Sequence, residues 1–278
     1  MSFKTFLAII QNEDDIDRVL GFAVPLASAA KGHLIGLHTE AIPIAYSSPV
    51  GFPEAEFMQA TSDVNTKRAA ELEAEFRRQV EAAGLSHDWR SLESFSGDSG
   101  VSGLSSARSV DLVVVAQPSP DAAAPAADVE TLIFESGRPV IISPHNGTSK
   151  TDFRRILVAW NSSREASRAV FDALPLILAA DSCEILVIDP EDNPARSADK
   201  AGEGIAANLR RHGATVSVTR LESGRRGIDD IIEERVAEHG FDLVVLGAYS
   251  HSRLREFLFG GVTRSVLKSM SVTTFMSR

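Results

Sequence analysis

The sequence has a single cysteine in 278 residues, Cys183. One cysteine excludes an internal disulfide and a multi-cysteine metal site. It lies in the apolar run SCEILVID, where we expect a small buried side chain. The seven histidines are scattered, and none stands at metal-ligand spacing from another histidine or from the cysteine. The sequence therefore gives no indication of a metal centre.

Positive charge is also scarce. Lysine and arginine total 28 against 38 acidic residues, for a formal net charge of −10. Nucleic-acid-binding proteins usually carry a basic face, so this balance disfavours a nucleic-acid partner. No apolar run reaches the roughly 18 residues of a membrane helix, and the start of the sequence lacks a signal-peptide pattern. We expect a soluble, cytoplasmic protein with no membrane partner.

Catalytic motifs are few. The sequence contains neither the G-x-S-x-G elbow of hydrolases nor a Walker A loop. Two acidic pairs, Asp14-Asp15 and Asp229-Asp230, stand at predicted helix starts, where carboxylates interact favourably with the helix dipole. These pairs are therefore interpreted as helix-stabilising, and the residues alone predict no catalytic group.

An internal repeat is present. The segment TFLAIIQNEDDIDRVLGFAVPL, which begins at Thr5, aligns without a gap with RILVAWNSSREASRAVFDALPL, which begins at Arg155. Further along, DLVVVA (111–116) aligns with DLVVLG (242–247), and the order of matched segments is kept. Such self-similarity predicts a duplicated domain, with only the loop lengths changed between the copies.

The repeat predicts two domains, residues 1–148 and 149–278, joined by the polar stretch SPHNGTSKTD. In each half, apolar runs of strand length alternate with helical periodicity, as in RRILVAW followed by SREASRAVFDALPLILAA. The first half has a long middle helix at about 55–83. Strands buried on both faces with helices between them predict an α/β fold of two Rossmann-like domains, each an open five-stranded parallel sheet.

Sheets of this kind bind ligands at the carboxyl ends of their strands, where the winding direction reverses. In the second half this edge is predicted at Asn161, Asp189 and Gly247, which follow strands one, two and four. Gly247 would let the chain turn sharply and let a ligand approach the backbone.

The loop after strand four adds a second indication. Gly260 and Gly261 precede a predicted helix, whose free amide groups suit a phosphate. His251, Ser252 and Arg253 could add hydrogen-bond donors, and an arginine can grip a phosphate with two bonds. An ordinary strand-to-helix connection with glycines for its turns remains the alternative.

These residues resemble the universal stress protein family of the UspA type, in both halves of the chain. ATP-binding members of that family carry G-x2-G-x9-G-[S/T] after strand four. The aligned residues are Gly247 and Ser250, then nine residues from His251 to Phe259, and then Gly260 and Gly261. The spacing is intact, but Ser250 replaces the second glycine and Gly261 replaces the hydroxyl residue.

The resemblance implies the adenine nucleotide alpha hydrolase-like type of Rossmann fold and one adenine-nucleotide site in the second half. The nucleotide would be ATP or AMP, with Mg²⁺ only where ATP is bound. Asn161 stands where the family has an aspartate, and the adenine would pack against Ala159 and Ile188. The implied site comprises Ala159, Asn161, Ile188, Gly247, Ser250, His251, Arg253, Gly260, Gly261, Val262 and Thr263.

The first half departs further from the family pattern. Gln11 stands in the aspartate position, and the segment after DLVVVA has no glycine before Gly137 but contains Pro118, Pro120 and Pro125. Because proline lacks an amide donor, this half is expected to have lost the phosphate loop. We expect it to pair with the second half as an intramolecular pseudo-dimer, with a homodimer of chains as a further expectation from the family.

Three functions remain open at this point. The leading hypothesis is a stress-response binding or regulatory protein with one nucleotide site. A slow, weak ATPase is the second, although no candidate base is evident and Asp189 is the one magnesium carboxylate considered. The third is a nucleotide-independent universal stress protein that acts through protein–protein interaction, which the substitutions at Ser250 and Gly261 favour.

Overall fold

The structure, a computed structural model, describes residues 3–42, 55–118, 126–145, 151–190, 202–248 and 261–278. Its contacts group into two compact units, an N-terminal unit (Phe3–Ser136) and a C-terminal unit (Gly137–Arg278). The division at Ser136 lies earlier in the chain than the boundary expected from the repeat, so the last strand of the first repeat is counted with the C-terminal unit.

The N-terminal unit has a parallel sheet of four described strands in the order β3-β2-β1-β4. These strands are β1 (Thr5–Ile9), β2 (His33–Ala41), β3 (Ser86–Ser94) and β4 (Leu112–Ala116). The helices are α1 (Glu13–Ala30), α2 (Ala55–Ala82), α3 (Ser99–Ser102), α4 (Leu104–Ala107) and α5 (Val129–Glu135). The winding direction reverses between β1 and β4, which places a switch point at their carboxyl ends.

The core of this unit follows the predicted pattern. All five residues of β4 are buried, as expected for a strand covered on both faces. On α2, Leu72, Phe76 and Val80 are buried at helical spacing, whereas Ala83 is exposed just beyond the helix. The long middle helix is thus confirmed, and three of its side chains supply core contacts.

The C-terminal unit has a sheet in the order β5-β10-β9-β6-β7-β8. Its strands are β5 (Val140–Ser143), β6 (Arg155–Ala159), β7 (Ser182–Ile188), β8 (Val216–Leu221), β9 (Leu243–Gly247) and β10 (Thr273–Ser277). Strands β6 to β10 run parallel, and β5 pairs antiparallel with β10. The described helices are α6 (Arg164–Asp172), α7 (Leu174–Ala179), α8 (Glu203–Arg211), α9 (Ile228–His239) and α10 (Gly261–Ser269). The predicted α/β fold with a largely parallel sheet is confirmed.

The first helix of the second repeat is interrupted, contrary to the single helix predicted. Helix α6 ends at Asp172, and α7 begins at Leu174 with Pro175 in its first turn. Because proline has no N–H, it cannot donate to the carbonyl four residues earlier, which explains a break here. The aligned Pro25 of the first repeat lies inside the continuous helix α1, and nothing in the structure explains that difference.

Helix α9 finishes at His239, and Gly240 follows in a left-handed conformation with φ of 62°. Ile231, Ile232 and Val236 are buried, whereas Ile228 at the first position is 37% exposed. The apolar face that packs into the core therefore begins at Ile231.

Candidate functional site

Four of the predicted site residues lie at one edge of the C-terminal sheet. Ala159, the last residue of β6, pairs with Leu186 of β7 and with Leu246 of β9. The residues that follow β6 therefore lie between the carboxyl ends of its two neighbours. Ile188 ends β7 and Gly247 ends β9, while Asn161 comes two residues after β6. The structure thus places Ala159, Asn161, Ile188 and Gly247 around the switch point.

In the turn from β6 into α6, side-chain oxygens accept hydrogen bonds from backbone amides. The Asn161 side-chain oxygen accepts the Ser163 amide at 3.1 Å, and Ser163 Oγ accepts the Ala166 amide at 3.1 Å as the helix cap. Between them, Ser162 takes a left-handed φ of 57°, a conformation that costs a non-glycine residue about 1 kcal/mol. Ser162 Oγ is buried and, among the described residues, has no hydrogen-bond partner.

Ser162 was not singled out by the sequence. In the gapless alignment it matches Asn12, which takes an extended φ of −149° and itself caps α1. Helix α6 therefore starts one residue later in its repeat than α1 does, and Ser162 is the residue that absorbs the difference. No signal in the sequence reveals this, because the serine pair in NSS leaves open which serine caps the helix.

Gly247 has a packing role that the sequence did not indicate. A Cβ added there would collide with the backbone nitrogen of Ala166 and the carbonyl carbon of Glu165, and would lie 2.7 Å from the Glu165 oxygen. The glycine is therefore required because the first turn of α6 packs directly against the end of β9. That Gly247 also lets a ligand approach the backbone stays a prediction.

The carboxylate of Asp189, considered above as a magnesium ligand, accepts a hydrogen bond within the fold. It takes a left-handed φ of 52°, and its Oδ1 accepts the Ser223 amide at 2.7 Å. This bond ties the end of β7 to the chain leaving β8. Among the described residues, no group of three or more histidine, cysteine or acidic side chains could hold a metal ion.

The rest of the predicted site lies largely outside the described residues, which end at Ala248 and resume at Gly261. Ser250, His251, Arg253 and Gly260 fall in that gap. The predicted helix start is confirmed, since α10 begins at Gly261, and its first turn contains no acidic residue. Val262 and Thr263 belong to this first turn, and their side chains are outside the described part of the structure.

The corresponding edge of the N-terminal unit holds a cleft of about 330 Å³. It lies at the carboxyl ends of β1 and β2, against the first turn of α1 and the chain that follows β3. Gln11, in the aspartate position of the first repeat, forms part of its wall. The side-chain nitrogen of Gln11 donates to the Gly97 carbonyl oxygen at 2.6 Å, and its side-chain oxygen accepts a hydrogen bond from the Ser99 backbone amide at 2.7 Å. This side chain therefore joins β1 to the loop after β3.

A buried carboxylate lies beside this cleft. Glu40 is 5% exposed and is hydrogen-bonded by Nε of Arg68 at 2.7 Å, by the Arg68 Nη2 group, and by Nε2 of His38 at 3.0 Å. Burial by itself raises the pKa of the Glu40 carboxyl, but the hydrogen bonds from Arg68 and His38 outweigh it and the pKa lies below its usual value. Glu40 is consequently charged and balanced by Arg68.

The pKa of a second carboxyl near the cleft is shifted in the opposite direction. Burial raises the pKa of Asp15 to about 6, although Arg18 and the Gln11 amide favour its charged form. Burial likewise lowers the pKa of Arg18. Asp15 Oδ2 accepts a hydrogen bond from the backbone amide of Gln11 at 3.3 Å, and this bond links Asp15 to the cleft wall. Sequence reasoning assigned Asp15 to helix stabilisation, and the structure does place it in the first turn of α1.

Cys183 is buried, as predicted. Its exposed fraction is 2%, and burial raises the pKa of its thiol to about 12. A thiol of this kind stays protonated and is unreactive at neutral pH. No helix among the described residues is long and apolar enough to cross a membrane.

The fold and this edge define a doubly wound α/β domain whose ligands are expected at a switch point. Residues 152–278 match the universal stress protein family, and this part of the chain is a universal stress protein domain. No protein of curated function matches the sequence.

Three solved structures resemble the whole chain. A universal stress protein from Archaeoglobus fulgidus DSM 4304 has a TM-score of 0.73 at 16% identity, covering 99% of this chain and 98% of its own. A protein provisionally described as a universal stress protein, from Pseudomonas aeruginosa UCBPP-PA14, has a TM-score of 0.63 at 14% identity, with coverages of 99% and 93%. A functionally unknown protein from Pseudomonas aeruginosa PAO1 has a TM-score of 0.61 at 16% identity, with coverages of 99% and 92%. At these identities the likeness shows the fold.

Proposed function

We propose that this chain is a stress-response regulatory protein that binds one adenine nucleotide, ATP or AMP, in its C-terminal repeat. The observation that carries the proposal is the turn after β6, where Ser162 is held in a left-handed conformation and its buried hydroxyl lacks a described partner. Strained residues and unpaired buried polar groups concentrate at ligand sites, where the ligand supplies the missing hydrogen bond.

The surroundings of Ser162 fit an adenine nucleotide. Ala159 and Ile188 provide an apolar surface at the ends of β6 and β7, which suits a base. Helix α10 begins at Gly261 with no acidic residue in its first turn, which suits a phosphate. The glycine loop that leads to this helix, with Ser250, His251, Arg253 and Gly260, keeps the family spacing in the sequence.

Magnesium would enter this site with ATP, since the phosphates provide most of its ligands. We assign no hydrolytic activity to the chain, because no observation in the described residues favours a catalytic base. The antiparallel pairing of β5 with β10 supports the intramolecular pseudo-dimer, because these are the last strands of the two repeats.

Native mass spectrometry of the full chain with ATP or AMP tests the proposal. We expect one bound nucleotide per chain. The Gly260→Asp variant should lose it, because a carboxylate at the start of α10 repels phosphate. Ala70→Asp, which adds the same charge on an exposed position of α2, is the matched control and should bind as the parent does. Absence of any nucleotide adduct from folded protein would contradict the proposal and favour the protein-interaction alternative.

The variant Ser162→Gly tests the observation itself. Glycine relieves the left-handed strain, so the fold should be retained, while the loss of the hydroxyl should weaken nucleotide binding by about tenfold. Unchanged affinity would show that Ser162 Oγ does not contact the nucleotide.

A further inference from the structure

The end of strand β2 carries a buried histidine that the proposed nucleotide site does not use. His38 is 1% exposed, and both of its ring nitrogens have a partner. Nδ1 lies 2.8 Å from the carbonyl oxygen of Ile10, and Nε2 lies 3.0 Å from Oε1 of Glu40. The ring therefore joins the chain that leaves β1 to a carboxylate on β2.

Both partners of this ring are hydrogen-bond acceptors. A backbone carbonyl oxygen can only accept. Burial raises the pKa of the Glu40 carboxyl, but the hydrogen bonds from Arg68 and His38 bring that pKa below its usual value, so Glu40 is charged and also only accepts. A neutral imidazole has one N–H and one lone pair, whereas an imidazolium donates through both nitrogens. The observed arrangement therefore matches a ring with a proton on each nitrogen.

The carboxylate of Glu40 is shared between the ring and a guanidinium. Arg68 donates to it through Nε at 2.7 Å and through Nη2. In the register of β2 with β3, Ser91 pairs with His38, so an uncharged residue lies beside the ring on that strand. The other titratable groups on the surrounding elements are Glu13 and Asp15 on α1, His87 and Glu93 on β3, and the exposed pair Lys67–Glu71 on α2.

This cluster ties the first half of α2 to the sheet. Within the described residues 59–71 of this helix no side chain is buried, whereas the second half supplies three core side chains. The first half is bonded to β2 by the Arg68–Glu40 pair and by Asn65 Nδ2, which donates to the Ala41 carbonyl oxygen at 2.9 Å. Because polar contacts hold this half, its attachment depends on how well the buried Glu40 is compensated.

We propose that His38 is a proton-operated switch for the first half of α2. With a proton on each nitrogen, the ring bonds both acceptors and the helix stays attached to β2. When one proton is lost, a lone pair of the ring faces an acceptor oxygen, and the Glu40 side chain turns toward water together with Arg68, which is 44% exposed. Since Glu40 and Arg68 line the cleft of the N-terminal unit, the shape of the cleft then changes with pH.

NMR of the full chain with isotope-labelled histidine measures the protonation of the ring directly. The His38 signals are assigned through bonds from its own backbone, so this measurement needs no variant. We expect a proton on both nitrogens at about pH 5.5 and on one nitrogen at about pH 9. A ring with one proton at the lower pH, or with two at the higher pH, would overturn the proposal.

Hydrogen exchange of the α2 amides measures the release of the helix. After correction for the intrinsic exchange rate, residues 59–71 should exchange about tenfold faster at the higher pH, whereas residues 76–82 should not change. The variant Glu40→Gln should remove this pH dependence, because its amide can donate to an unprotonated ring.

The matched control is His33→Gln, which removes a partly exposed histidine from the same strand and should keep the pH dependence. Three results would contradict the switch: unchanged exchange of residues 59–71 in the parent, an equal change in both halves of the helix, or loss of the pH dependence in the control. None of these results depends on nucleotide binding in the C-terminal repeat.

Discussion

The two repeats differ at the turn where strand one enters helix one. In the N-terminal repeat α1 begins with Glu13, Asp14 and Asp15, whereas α6 begins with Arg164 and Glu165, which pair with each other at 3.0 Å. The same strand and helix therefore present a negative edge in one repeat and a balanced edge in the other. The comparison teaches that one fold can carry different charges at the same edge, because a few residues at the helix start set them.

The packing behind this edge also differs. Gly247 at the end of β9 lets α6 approach the strand closely, whereas the aligned Ala116 at the end of β4 is buried with its methyl group in place. The first turn of α6 therefore packs against the end of β9 without an intervening methyl group.

The largest expected effect comes from placing a methyl group at Gly247. Gly247→Ala drives a Cβ into the backbone of Glu165 and Ala166, so the free energy of unfolding should fall by about 4 kcal/mol. The reciprocal change Ala116→Gly should cost about 1 kcal/mol, the usual cost of glycine in a strand. Urea unfolding measures both, and equal losses would remove the packing difference between the repeats.

Each repeat also has an arginine–glutamate pair that joins a helix to its second strand. Arg235 donates to both oxygens of Glu184 at 2.8 and 2.9 Å, and its side chain is 19% exposed against 44% for Arg68. Arg235→Ala should cost about 3 kcal/mol, because Glu184 is left buried without its partner. Arg68→Ala should cost about 1 kcal/mol, because His38 still bonds Glu40 and the arginine is half exposed.

Thermal unfolding of the two arginine variants checks the order of these losses. A greater loss of stability for Arg68→Ala than for Arg235→Ala would contradict this order. It would show that the Arg68–Glu40 pair stabilises the fold more than the Arg235–Glu184 pair does.

The pH dependence of stability should distinguish Asp15 from Glu40. The folded-state pKa of Asp15 is raised to about 6, so the native state binds the extra proton and stability falls as pH rises from about 4 to about 6. The pKa of Glu40 is lowered, so its contribution is present above its usual pKa and is lost as pH falls through the folded value.

The variant Asp15→Asn isolates the first of these effects. Its stability relative to the parent should rise by about 2 kcal/mol between pH 4.5 and pH 8, because only the parent must bury a charge at the higher pH. Urea unfolding at the two pH values gives this difference. A difference that does not change with pH would mean that Asp15 is not desolvated.

The smallest expected effect on stability comes from substitutions at the turn between strand one and helix one, where they change backbone strain or a helix cap. Ser162→Gly should leave stability unchanged or raise it by up to about 1 kcal/mol, because φ is 57° there. Asn12→Gly should lower stability by a few tenths of a kcal/mol, because the cap to Asp15 is lost from an extended residue. Opposite signs in urea unfolding would confirm that the two turns differ, and equal signs would contradict it.

Much of the fold follows from periodicity and duplication in the sequence. The strands, the long helix α2 and the switch-point edge were predicted because buried strands and amphipathic helices leave strong patterns. The break between α6 and α7 was missed because Pro25 and Pro175 align but have different effects. The cleft was missed because Gln11, Glu40 and Arg68 come from distant segments, and only the folded chain brings them together.

The site was predictable to a lesser degree. The sequence located the edge through Asn161 and Gly247, but it did not indicate that Gly247 packs against α6. It also passed over Ser162, since a left-handed residue leaves no pattern when it is not glycine or asparagine. Positions of this kind depend on tertiary packing, which a local pattern does not record.

Native mass spectrometry of the full chain with ATP tests the central claim most directly. We expect one nucleotide on each chain. Gly260→Asp should remove it, and the matched control Ala70→Asp should keep it. Two nucleotides per chain, or none on the folded parent, would contradict the claim that the C-terminal repeat alone binds an adenine nucleotide.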